Sequence, residues 1–125
     1  MNRSIVIKTL RPEIAGLKHG ATISDMESFQ NEVLRPILKF QNDVLLNIFK
    51  NHLKKQTVDY TKMDTNSRLL YVQNVIQKDL GLRNVLIGIV LGMLTKEEVD
   101  IYYIHESEYR RRISKMVIER LADQM

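Results

Sequence analysis

The chain has no cysteine and no tryptophan, and among its 125 residues only two are proline and five glycine. Without cysteine there is neither a disulfide framework nor a thiolate metal site, which fits a reducing, cytoplasmic setting. So few prolines and glycines favour regular structure over turns. The opening MNRSIVIKTLRPE lacks an apolar stretch of signal-peptide length, so no cleaved leader is expected. Long hydrophobic runs are missing too. The longest, VLIGIVLGML at 85 to 94, is bracketed by Arg83 and Lys96. As a helix it rises about 15 Å, half the hydrocarbon thickness, so a central buried helix is expected and membrane insertion is not. An apolar content of 44% suffices for one core.

Charge of one sign is also scarce once its position is considered. The formal net charge is +4, with ten bases against six acids in residues 1 to 63, four against five in 64 to 104, and five against four in 105 to 125. Only the first half is clearly basic, so nucleic acid is not an expected partner: binding should be weak and should vanish by physiological salt. The run Arg110-Arg111-Arg112 looks like a phosphate binder, but Glu106 and Glu108 stand four residues before Arg110 and Arg112. Such pairs mark a solvated helix face.

What the sequence does contain is a repeat. FQNEVLRPILK at 29 to 39 is followed by FQNDVLLNIFK at 40 to 50, with seven of eleven positions identical. Eleven residues make about three helical turns, so equivalent positions stack on one face. The spacing predicts one long amphipathic helix, begun by a Ser24-x-x-Glu27 capping box and kinked at Pro36. Gln30 and Gln41 fall inside the apolar arc. They read either as structural hydrogen-bond donors to a neighbouring helix or a freed carbonyl, or as a polar register pin at an oligomer seam. Gln73, Asn74 and Gln77 are candidate partners for them.

A polar connection, QTVDYTKMDTN, leads to a second predicted helix, capped by Asp64 or Thr65, with Leu69, Val72, Val75, Ile76 and Leu80 on its apolar side. Gly81 offers a left-handed stop. In the apolar run that follows, Gly88 and Gly92 share a face and read as helix-packing positions. Neither phosphate-binding fingerprint fits them, since Met93 and Leu94 stand where a P-loop needs Lys and Ser or Thr. Thr95-Lys96-Glu97-Glu98 is another capping box. The helix it starts either runs unbroken through residue 122 or begins again near Ser107.

Metal and catalytic constellations fail on spacing. In His105-Glu106-Ser107-Glu108-Tyr109 a tyrosine occupies the place of the second metalloprotease histidine. The residues three before His19, His52 and His105 are Gly16, Phe49 and Tyr102, which excludes Glu-x-x-His pairs. No metal, cofactor or catalytic residue is expected. The remaining ligand-pocket candidate is Tyr102, Tyr103, His105, Glu106 and Tyr109, where a carboxylate among phenols could trade protons. An aromatic core-edge or interface patch, with Glu106 paired to Arg110, is the plainer reading.

The blocks LRPILKFQND, RNVLIGIVLGMLTKEE and MVIERL resemble a family of small helical bacterial proteins without established function, over roughly residues 26 to 122. Members sometimes carry the label glyoxalase, which would imply a metal-dependent lyase. That class uses paired βαβββ modules with histidine and glutamate ligands, and this chain has no strand-period segment of note. The resemblance therefore implies an all-α fold and transfers no functional residue.

Together these features predict an all-α, compact bundle of four to five helices with a central buried helix. Residues 1–22 are expected to be a loosely attached segment and 23–125 a single domain. The expected role is a small cytoplasmic interaction or assembly protein, a homo-oligomer or the partner of another helical protein. The alternative is a small-molecule-binding protein or unrecognised enzyme using the Tyr/His/Glu pocket.

Overall fold

The computed structural model describes residues 2–11 and 25–125, and among them only helices and turns occur. The all-α expectation holds. Ser24 of the first capping box, and the Gly16 and Gly20 region, lie outside the described residues. Helix α1, Arg3–Leu10, starts where the Asn2 side chain accepts from the Ile5 N–H. Helix α2, Asp25–Phe29, runs through a π-helical turn, Gln30–Leu34, into α3, Arg35–Phe40; α4, Asn42–Leu53, follows after Gln41.

The predicted single helix of the repeat is thus divided, and the reason is proline. Pro36 has no N–H to offer the carbonyl four residues back. The preceding turn widens instead, with the Arg35 N–H reaching the Gln30 carbonyl five residues away. A π-turn takes up an extra residue and so rotates everything after it relative to what precedes it. Gln41, at φ −89° and ψ 5°, breaks the phase again. Equal letters therefore meet unequal surroundings: Phe29 is 6% exposed and its repeat partner Phe40 45%.

Helix α5, Thr65–Lys78, is capped by Asp64, whose carboxylate accepts from the Ser67 N–H at 2.7 Å. Asp79 ends α5 and caps α6, Leu80–Leu91, by accepting from the Leu82 N–H at 3.0 Å. The stop expected at Gly81 is made by this aspartate, because one side chain can satisfy the donors of a new helix while the chain turns at an extended backbone position. Gly81 itself lies inside α6. Helix α7, Lys96–Ile104, begins with the predicted capping box of Thr95 and Glu98. At His105, φ −134° and ψ 53°, the chain leaves helical geometry for one residue, and α8, Glu106–Asp123, begins there rather than at Ser107.

One core unites these helices: Leu34, Ile37 and Leu38 of α3 and its approach, Leu45 and Phe49 of α4, Val72 and Ile76 of α5, and Leu86, Ile87 and Val90 of α6. Helix α8 adds Tyr109, Ile113, Val117 and Leu121, and packs against α4, α5, α6 and α7. The helix expected at the centre buries four side chains, but Val85 is half exposed and a Cβ on Gly88 would meet nothing within 4 Å. Of the N-terminal segment, α1 buries only Ile7 and is tied down by arginines. Arg3 donates to the carbonyls of Gly92 and Leu94, both at 2.8 Å. Arg11 donates to the Met93 carbonyl and grips both Glu98 oxygens.

Candidate functional site

A groove of about 540 Å³ lies between α5, α6 and α8. Arg68, at the start of α5, donates to the carbonyl of Met125 beyond the end of α8, so these two helices run antiparallel. The walls of the groove follow from that. Leu69, Ile76, Ile87 and Ile118 supply an aliphatic floor; Gln73, Gln77, Ser107 and Ser114 supply hydrogen-bonding groups. Arg83, Arg110, Arg111 and Lys115 stand along it, with Glu119 as its one acid. Residues 107 to 119 of α8 span about 18 Å, and 69 to 77 of α5 about 12 Å.

These cations are not equivalent. Arg110 donates to the Asn84 side chain at 2.6 Å, tying α8 to α6. Arg111 and Arg112 both donate to Glu108, and these hydrogen bonds hold its carboxyl down to about 2. The predicted Glu108 pairs are present, whereas Glu106 does not pair with Arg110, which takes Asn84 instead. Arg83 and Lys115 line the groove and make no side-chain hydrogen bond or ion pair with any described residue. The arrangement can hold an apolar body with negative charge on its border; it places no nucleophile beside a base.

The grooves formed by the described residues are not lined by the five residues of the sequence-derived pocket. Tyr102 and Tyr109 are each 2% exposed and belong to the core, with ring centroids 6.2 Å apart and Phe29 4.8 Å from Tyr109. Burial pushes both phenols above their usual pKa. The Arg110 guanidinium beside the Tyr102 hydroxyl opposes that rise without cancelling it. Tyr103, His105 and Glu106 point to the exterior. Tyr103 lies edge-on to Tyr102 with ring centroids 5.1 Å apart, but no side-chain hydrogen bond or ion pair joins these five residues, so they form no proton-trading network.

The four glutamines likewise do not converge. Gln41 donates to the Ile89 carbonyl at 3.2 Å, and the Met93 N–H that would ordinarily take that carbonyl bonds Val90 instead. Gln41 thus serves a carbonyl freed near the end of α6, one of the two structural roles expected of it. Gln30 accepts from Arg112 at 3.0 Å, and Gln73 and Gln77 line the groove. Near Gly92 an added Cβ would lie 3.3 Å from the Gly88 carbonyl of its own helix, and at neither glycine would that Cβ meet a neighbouring helix.

Sequence reasoning missed Arg83 and Lys115, which carry no local motif, and it missed the double duty of Glu98. That carboxylate accepts from the Thr95 N–H at 2.8 Å while paired to Arg11, and both side chains are nearly buried. Burial raises its pKa, but the Arg11 hydrogen bonds and the Thr95 N–H outweigh burial and leave it below the usual value. Among the described residues no three His, Asp or Glu side chains are placed to hold a metal, and no helix is long and apolar enough to cross a membrane. Comparison with protein-family models finds no match, and neither does comparison with curated proteins or with solved structures.

Proposed function

We propose that this chain is a helical interaction protein and that the α5–α6–α8 groove is its working surface. The observation that carries the reading is the pairing of an aliphatic floor with two cations, Arg83 and Lys115, that no described residue engages. An amphipathic helix docks in such a groove through aliphatic anchors, and opposite charge on the rim selects it. The tyrosine patch serves the fold in this account, and self-association remains the leading form of interaction. A small amphiphilic anion is the second reading, favoured by a volume of about 540 Å³ in the range of ligand pockets.

The test is capture on the immobilised full chain, comparing the wild type with Arg83→Glu/Lys115→Glu. A partner held by the wild type should be lost from the variant, whose melting temperature should change little because Lys115 is exposed and half-buried Arg83 makes no hydrogen bond or ion pair with a described residue. Equal retention would remove the groove from the function.

A further inference from the structure

We propose that the occupant of the groove is helix α7 of a second copy of this chain, exchanged reciprocally in a two-fold dimer. The proposal rests on the groove being the working surface. Helix α7 carries the complement of what the groove presents. Its Ile101, Tyr103 and Ile104 are 42%, 62% and 70% exposed, a concentration of large apolar side chains on a nine-residue helix. Exposed acids accompany them: Glu97, Asp100, Ile101 and Ile104 fall at i, i+3, i+4 and i+7, one helical face, and Glu106 follows. Against Lys96 stand three exposed acids, Glu97, Asp100 and Glu106; among the described residues of the groove, Arg83 and Lys115 are unengaged cations and Glu119 is the one acid. Apolar side chains thus meet an aliphatic floor and each charge meets its opposite. The nine residues of α7 rise about 13 Å, close to the length of the α5 wall.

The same helix cannot serve its own groove. Tyr102 and Glu98 fix its inner face to the core and to Arg11, and its outer face carries the exposed Ile101, Tyr103 and Ile104. The symmetry follows from adjacency. Ile104 precedes Ser107, the first groove residue of α8, by three positions, so donor face and acceptor groove adjoin. Seating α7 of one copy in its partner brings the partner's α7 to the first copy's groove, and both sites are filled at once. Such closure consumes every exposed complement, whereas a head-to-tail contact would leave one at each end and grow.

Sedimentation equilibrium of the full chain tests this directly. The wild type should dimerise with a Kd below about 100 µM. Arg83→Glu/Lys115→Glu and, separately, Glu97→Lys/Asp100→Lys should each weaken the dimer at least about tenfold, with circular dichroism and melting unchanged. Combining all four substitutions restores opposite signs across the interface and should bring Kd back to within about threefold of wild type. A wild type that stays monomeric at about 500 µM overturns the proposal. So does a Kd that neither pair of substitutions moves, or a fourfold variant as weak as its parents. If the wild type is monomeric while partner capture still depends on Arg83 and Lys115, the groove reading stands and only its occupant falls. If capture is equally indifferent to them, both readings fall.

Discussion

The tyrosine patch and the groove both draw on α8, and they differ in what their side chains have left to offer. Tyr109 has spent its ring on Phe29 and Tyr102, and its side chain is 2% exposed. Lys115, six residues further along the same helix, lies at the surface beside an aliphatic floor and engages no described residue. A cluster of reactive residue types in sequence therefore indicates a site only if the fold leaves their polar ends unsatisfied and reachable. Here the aromatic cluster stabilises, and the scattered cations are the ones we propose for recognition.

Substitutions that separate stability from recognition can break that contrast. The largest effect belongs to Tyr109→Ala, which empties a fully packed position and should cost about 4 kcal/mol in chemical denaturation. Binding per folded molecule should be unaltered. A stable Tyr109→Ala protein that had lost its partner would reverse the assignment.

Next is the latch of α1. Arg11→Ala leaves Glu98 nearly buried without its guanidinium and should cost about 3 kcal/mol, read as a lower denaturation midpoint. The same pair sets a pH dependence. The Glu98 carboxyl titrates below its usual 4.5 in the folded chain, so the unfolded chain binds more protons near that pH. Its contribution is complete above about pH 4.5 and is lost as pH falls through the folded value. Midpoints measured in acid should therefore fall less steeply in Arg11→Ala than in the wild type.

Smaller again is Gln41→Leu, which strands the Ile89 carbonyl and should cost about 1 kcal/mol while leaving the oligomeric state unchanged. A broader oligomer distribution with undiminished stability would instead make Gln41 a register pin at a seam. The smallest effect on stability, within about 0.5 kcal/mol, is expected for Arg83→Glu/Lys115→Glu, the pair with the largest expected effect on binding.

Much of this contrast was hidden in the sequence for identifiable reasons. The all-α fold and the caps at Asp64 and Thr95 were legible, because periodicity and capping are local. The repeat misled about phase: a π-turn before Pro36 and the break at Gln41 give Phe29 a buried place and Phe40 a half-exposed one, and the identical letters carry no sign of it. The aromatic patch was visible in the sequence, but not that Tyr102 and Tyr109 enter the core across the break at His105 while Tyr103 stays exposed. The groove draws Gln73, Arg83 and Lys115 from three helices, and only the antiparallel packing of α5 on α8 brings them together. Arg3 and Arg11 reach a turn more than eighty residues away, a separation that no local pattern encodes.

The most direct test of the central claim exploits the missing cysteines. Ser114→Cys places a single thiol on the groove, where an environment-sensitive fluorophore can be attached without competition. Titrating the labelled chain with unlabelled wild type should give a saturable blue shift, and unlabelled Glu97→Lys/Asp100→Lys protein should give a much weaker one at equal concentration. An unchanged emission under conditions where sedimentation shows dimers would place the interface elsewhere and contradict the account.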